Sequence, residues 1–424
     1  MIYKKYEHPN FNLIGINNNK YKSCLIEVIF RKNIKEHDLI ERSLLADTMC
    51  FSTKNYPQKK DLVIKCQDLY DLTINSSVSK LGNSLETSFC ASFVCPKFIN
   101  EENYLDNIVE LLFEVIFNPN IINNSFDIRS FNITKKQLIN DVVTIKEDPN
   151  KVAISGALNS SFKDSPTTYG MINEKEYLED ISPDRLYNIY QEMINKDLCD
   201  IFVIGDIDLE TVNNLVSKYY INNVIKTQNI DLYIKNISAK RIKTTCHNGN
   251  FVQSNLVMIY NISDLEKKDL QITPYIFNNI FGNGSLNSKL FKYLREENSL
   301  CYGVSCMYLR FDGILIIKVS LAEENIKKAI ILIKKALVEM TKGKFLDSEL
   351  EDAKKSSVFS VKMAEDYIGG LLNNYIFNYY DDFPIPEDRI KIIKETKRED
   401  IIRFASSLKL NSIYILKEEQ DETN

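Results

Sequence analysis

The chain opens its first half with the run Ser23 to Phe30, SCLIEVIF, whose apolar spacing reads as a strand. Beyond it Leu39, Ile40, Leu44, Leu45 and Met49 recur on one stripe of a helix. Pro57 stands where a second helix should begin, a favoured first-turn position, leading into 58–72. Residues 84–98, SLETSFCASFVCPKF, read as a strand, and 102–117, ENYLDNIVELLFEVIF, as a strongly amphipathic helix closed by Asn118-Pro119-Asn120. Further helices are predicted over 130–146 and over 183–195, the latter from a Ser182-Pro183 start. CDIFVIGD (199–206) reads as an apolar strand.

The second half repeats that order. GILIIKVSL (313–321) reads as a strand, 325–342 and 347–365 as helices, 398–408 as a helix and NSIYILKE (411–418) as a closing strand. SPDRLYNIYQEM followed by CDIFVIGD answers KREDIIRFASSL followed by NSIYILKE, and the helices at 107–121 and 329–343 lie at a similar offset. Ordered pairs at one offset favour an internal duplication. The polar segment near 222–245 has no clear apolar period and reads as a linker. The expectation is an α+β fold: two tandem homologous half-domains, each a mostly antiparallel sheet packed with helices. The boundaries predicted are 1–225, a linker at 226–245, and 246–424.

Composition excludes whole classes. Hydrophobic residues at 44% and charged residues at 26% are ordinary for a globular chain, and 53 basic against 58 acidic residues give −5. Such a balance cannot neutralise a phosphate backbone, so nucleic acid is not an expected partner. The low counts of 13 glycines and 10 prolines predict long elements with few tight turns. Nine scattered cysteines, an odd number, suit a reducing compartment better than a disulfide framework. The pairs Cys90/Cys95 and Cys301/Cys306 are spaced C-x4-C within apolar runs and read as small buried hydrophobes. MIYKKYEHPNFN carries no apolar signal core, and no run approaches the roughly 18 apolar residues of a membrane span. The expected location is the cytoplasm. With only His8, His37 and His247, a metal motif that needs two nearby histidines is excluded. His247 beside Cys246 is a poor nucleophile–base pair, because adjacent residues of an extended chain point apart. Glu147-Asp148 looks like a solvated helix end, and 419–424 like a frayed tail.

The most informative stretch is 281–310, FGNGSLNSKLFKYLREENSLCYGVSCMYLR. It reads as a glycine turn with Ser285 as a possible cap, a short helix from about Leu286 to Glu296, and a strand beginning near Leu300. As a phosphate loop it fails, since no G-K-[ST] follows. Here the chain resembles the insulinase/pitrilysin family, inverted-motif zinc peptidases that include the mitochondrial processing peptidase. The resemblance covers nearly the whole chain, as two half-domains. Its best local match is Leu290-Phe291, Leu294-Arg295-Glu296, then Leu300-Cys301-Tyr302. In that family the Arg and the following Tyr reach the substrate carbonyl, so the resemblance implies this role for Arg295 and Tyr302. A guanidinium and a phenol can both donate to a developing oxyanion. The bland reading makes Arg295 a solvated residue of the KYLREEN cluster and Tyr302 an amphipathic strand residue.

Catalysing members of the family carry H-x-x-E-H on a first-half helix, with a further Glu downstream. Two His one turn apart bind zinc and the Glu is general base. Aligned on CFSTKNYP (50–57), those positions hold Ser43, Ala46 and Asp47, and the distal Glu falls near Asn140 or Asp141. No catalytic zinc is therefore expected in this chain. The resemblance then implies a non-catalytic subunit of a bacterial heterodimeric zinc peptidase, with zinc in a homologous active partner that receives Arg295 and Tyr302. Its substrates would be peptides or precursor peptides, held partly by strand addition. The alternative is an inert scaffold or peptide-binding homologue that contributes nothing to chemistry.

Overall fold

Alternation along the first long strand decides which side of its sheet meets the helices. The computed structural model describes residues 2–225, 227–283 and 288–418. In it Cys24, Ile26, Val28 and Phe30 enter one apolar core, and the period of two places Glu27 and Arg31 on the other face. In chain order the first stretch runs β1 (Ile2–Glu7), β2 (Asn12–Asn17), β3 (Ser23–Asn33), α1 (Asp38–Phe51), α2 (Lys59–Asp68), β4 (Thr73–Leu81) and β5 (Ser84–Val94). It continues with α3 (Tyr104–Phe117), the small hairpin β6 (Ile121–Ile122) and β7 (Ser125–Phe126), α4 (Ile128–Glu147) and α5 (Pro149–Ser161). Then come α6 (Lys175–Asp180), α7 (Pro183–Lys196), β8 (Leu198–Gly205) and α8 (Leu209–Tyr219).

The second stretch begins with β9 (Lys243–Gly249), β10 (Ser254–Ile262), α9 (Thr273–Asn278) and the short α10 (Lys289–Phe291). It continues with β11 (Val304–Leu309), β12 (Ile314–Leu321), α11 (Ile326–Thr341) and α12 (Asp347–Ala364). It closes with α13 (Ile368–Asp381), α14 (Pro386–Glu395), α15 (Arg398–Ser407) and β13 (Leu408–Glu418).

Topology repeats with the sequence. The first large sheet is ordered β1-β2-β8-β3-β5-β4 and the second β9-β13-β10-β12-β11 when read from the corresponding edge. Setting aside the additional edge strand β1 of the first sheet, the parallel pair sits at the same place in each, β2 with β8 and β9 with β13, and the other pairings are antiparallel. This is an α+β fold of two related, mostly antiparallel sheets packed with helices. Contacts group the described chain into two compact units: up to Thr144 with Tyr169–Leu232 and Asp366–Ile376, and Ile145–Thr168 with Tyr233–Glu365 and Phe377 onward. The helix α5, from the first half of the sequence, thus belongs to the second unit, and the first part of α13 belongs to the first. In the second unit Ala153, Ala157 and Phe162 close over Val257, Ile259, Ile314, Ile316, Tyr414 and Leu416, covering the sheet face away from the main core.

Several element ends differ from expectation for local reasons. Pro57 precedes α2 instead of standing in its first turn, since Gln58 is the N-cap. The helix stops at Asp68, short of 72, because Tyr70 and Asp71 take left-handed φ values of 57° and 56°. The strand at 84 ends at Val94, and Pro96–Phe98 turns as a 3-10 helix. Ser182 caps α7 by accepting from the backbone of Arg185, as its Ser-Pro start predicts. Asp148 does more than end a helix: it caps α5 through the backbone N–H groups of Asn150 and Lys151. The expected cap Ser285, the helix start at Leu286 and the tail at 419–424 lie outside the described residues.

Candidate functional site

Arg295 lies on a π-helical turn, Lys292–Glu296, that continues α10. Buried Leu290 and Leu294 hold this segment to the core, while Lys289 Nζ (3.0 Å) and Tyr293 Oη (2.5 Å) reach Glu339 of α11. Ser299 then adopts a left-handed φ of 52°, and its N–H donates to the Arg295 carbonyl at 2.9 Å. Leu300 N–H closes the turn on the Leu294 carbonyl at 2.8 Å. This reversal postpones the strand: β11 starts at Val304, not near Leu300, and Tyr302 stands in the connection ahead of it.

The structure brings both predicted residues to one cavity of about 650 Å³, with Phe291, Cys301, Ser320 and Asn325 among its walls. Arg295 stacks over the Phe291 ring at 4.8 Å and donates from Nη1 to the Tyr302 backbone carbonyl at 2.9 Å. Tyr302 itself is 84% exposed, against the habit of tyrosine to bury its ring. The guanidinium is thus held to the backbone of Tyr302, whose own side chain is open to a third group. Burial pushes the adjacent Cys301 thiol up, with Arg295 opposing, so a thiolate is disfavoured there. Cys95 and Cys306 are buried as expected, while Cys90 and Cys301 are half-buried.

The positions that would hold zinc do not fit the ion. Ser43 Oγ donates to the Leu39 carbonyl at 2.8 Å, committed to its own helix. Ala46 is buried and offers neither ligand nor base. Asp47 faces a second cavity of about 640 Å³. Burial, then the Asp141 carboxylate, pushes its pKa up to about 6. Thr48–Thr134 and Ser52–Ser130 hydroxyl contacts (2.8 Å each) tie α1 to α4, the helix that carries Asn140 and Asp141. Among the described residues no group of three His, Cys, Asp or Glu side chains is placed to hold a metal. His37 pairs with Glu174 at 2.6 Å and stacks on Tyr177. His8 contacts Asn213, and His247 stacks on Tyr414 while Cys246 is exposed. Sequence reasoning missed the cavity beside Asp47, whose walls come from five separate elements, and the exchanged helices.

Comparison with known proteins places this geometry. A family model described as the peptidase M16 inactive domain matches residues 180–357. The chain is 23% identical over 417 residues to a Bacillus subtilis protein named probable inactive metalloprotease YmfF, covering 97% of each. A conserved protein from Enterococcus faecalis V583 superposes with a TM-score of 0.94 at 24% identity, over 99% of this chain and 100% of that one. A Pseudomonas fluorescens structure titled peptidase M16 inactive domain superposes with a TM-score of 0.80 at 13% identity, covering 100% of both chains. The chain is thus similar to inactive members of the M16 peptidase family, and it carries Ser43, Ala46 and Asp47 where the sequence alignment sets that family's ligands and base. No helix among the described residues is long and apolar enough to cross a membrane.

Proposed function

We propose that the chain is the non-catalytic subunit of a heterodimeric zinc peptidase, paired with an active homologue that carries H-x-x-E-H and the zinc. The tandem halves, 1–225 and 246–424, would then be a degenerate peptidase half and an Arg/Tyr half. The observation that carries this reading is the exposed Tyr302 beside Arg295 at the mouth of a cavity. Both groups can donate to a carbonyl oxygen as it gains charge. The edge strand β11 follows directly, giving an extended peptide or precursor peptide a backbone to pair with. Cytoplasmic placement rests on the scattered thiols.

A second reading, an inert scaffold or peptide-binding homologue, is favoured by one contact: Arg295 already donates to its own chain at the Tyr302 carbonyl. Steady-state peptidase assays separate the two. The purified chain alone should cleave nothing and hold no stoichiometric zinc. With the active partner, Arg295→Ala or Tyr302→Phe should lower kcat/KM by roughly 10²-fold, the loss typical of one oxyanion donor. The same variants should still form the complex by gel filtration. Full activity in both variants assigns the chain to the scaffold reading.

A further inference from the structure

In α11 the quartet Ile-Lys-Lys-Ala occurs at 326–329 and again at 333–336, one heptad later. The isoleucines and alanines of both copies are buried, with Leu337 and Met340, which fixes the core side of the helix. At about 100° per residue, Ile331 and Val338 then run along the middle of the outward face. Lys327 and Lys334 flank that line on one side, Lys328 and Lys335 on the other, and Lys342, at the C-cap, extends it. All five lysines are exposed, and Ile331 and Val338 are 66% and 48% exposed.

Carboxylates do not balance this row. The single acid of α11, Glu339, is turned to Lys289 at 3.0 Å and to Tyr293 at 2.5 Å. Asp347, beyond the helix, is held by Arg398 at 2.5 Å, and Glu324 lies in the turn before it. Lys335 lies over the Tyr293 ring at 5.2 Å and acts on Glu339 from a distance. Among the described residues none of the five lysines forms an ion pair. The next helix shows the ordinary solution: α12 sets Glu351 against Lys354 at 2.9 Å and Asp352 against Lys355 at 3.2 Å. A chain of net charge −5 has no compositional reason to build a face of lysines alone.

The chemistry of the face selects its partner. Lysine presents a point charge, without the guanidinium fork that grips one carboxylate or phosphate. The face is the convex outside of a helix, and it holds no aromatic ring to stack on a base and no amide to read one. What fits is a broad layer of negative charge over an apolar one. Ile331 and Val338 would enter the apolar layer, while the lysine stems lie along it and their ammonium groups stay among phosphates.

We propose that this face of α11 docks the chain on a bilayer rich in anionic phospholipid. The inference goes beyond the role of Arg295 and Tyr302, and either can fail without the other.

Co-sedimentation of the isolated full chain with lipid vesicles tests it. In roughly 0.1 M salt, vesicles of phosphatidylcholine with about one-third phosphatidylglycerol should bind it at least about ten-fold more tightly than phosphatidylcholine alone. Raising the salt to roughly 0.5 M should release the chain. The combined variant Lys327→Gln, Lys328→Gln, Lys334→Gln, Lys335→Gln should fall to the level seen on neutral vesicles. Ile331→Ser with Val338→Ser should weaken binding roughly five-fold. Every one of these positions is exposed, so both variants should fold, which a thermal melt verifies. A control with the same change of charge at exposed lysines elsewhere, Lys60→Gln, Lys136→Gln, Lys163→Gln and Lys391→Gln, should bind as the parent does. Equal uptake by neutral vesicles, full uptake by either α11 variant, or an equal loss in the control overturns the proposal. Capture of RNA or of an acidic polypeptide through the same lysines, without vesicle uptake, would give the face another partner and overturn it as well.

Discussion

Glu86 of β5 faces Arg31 of β3 across the ladder, but the guanidinium is committed to Asp200, at 2.9 Å from Nε and 2.7 Å from Nη2. Burial comes first in pushing the Glu86 carboxyl up to about 7; Arg31 opposes, and Glu27 and Asp200 add to the rise. The folded chain therefore holds this proton more tightly than the unfolded chain, whose ordinary value is 4.5. The sign follows: stability contributed by the protonated form is complete below about 4.5 and lost as pH rises towards 7. Glu86→Gln removes the titration. Urea melts should show the variant more stable than the parent at pH 8, by on the order of 2 kcal/mol, with the gap closing near pH 4.5. A constant gap across that range would show that Glu86 ionises freely. No signal in SLETSF announces this residue, because its environment is assembled from three strands brought together only by the fold.

Two glycines on the exchanged helices make opposite predictions at the scale of elements. In α5 a Cβ at Gly156 would lie 2.5 Å from Cζ of Tyr414, a buried strand residue with little room to shift. In α13 a Cβ at Gly369 would meet nothing within 4 Å. Gly156→Ala should therefore destabilise by about 1–3 kcal/mol through overpacking. Gly369→Ala should stabilise by roughly 0.5 kcal/mol, from helix propensity and a less free unfolded chain. Differential scanning calorimetry should show melting shifts of opposite sign, and shifts of the same sign would remove the packing argument. The same helices show where sequence legibility stops. The apolar stripe of ENYLDNIVELLFEVIF and the Ser-Pro start of α7 leave one reading, and both elements form within a residue or two of it. KVAISGALNS has small and polar residues where a stripe should be, because α5 covers a sheet face with close backbone approach at Gly156. The Arg295 and Tyr302 pair was legible only through the family pattern. Its true setting depends on a left-handed Ser299, a conformation that nothing in EENSLCY demands.

For the whole molecule, the duplication and the exchange together predict how the chain comes apart. We propose that the linker at 226–245 separates two copies of one ancestral unit, each lending a helical segment to the other's compact unit. A fragment 246–424 would carry β9 to β13 but lack α5, leaving Val257, Ile259, Ile314, Ile316 and Leu416 uncovered on one sheet face. A contiguous apolar surface of that kind drives association. The fragment should bind a hydrophobic dye strongly and self-associate in analytical ultracentrifugation. Adding a synthetic peptide of residues 145–168 should suppress both effects. Fragments 1–225 and 246–424 expressed together should recover a soluble 1:1 complex, since each supplies the helix the other lacks. A fragment 246–424 that is monomeric, dye-silent and cooperative in melting on its own would show that α5 is dispensable to the second unit. The halves would then be independent domains in sequence order, and the exchange a decoration of the duplicated fold instead of the feature that binds its copies together.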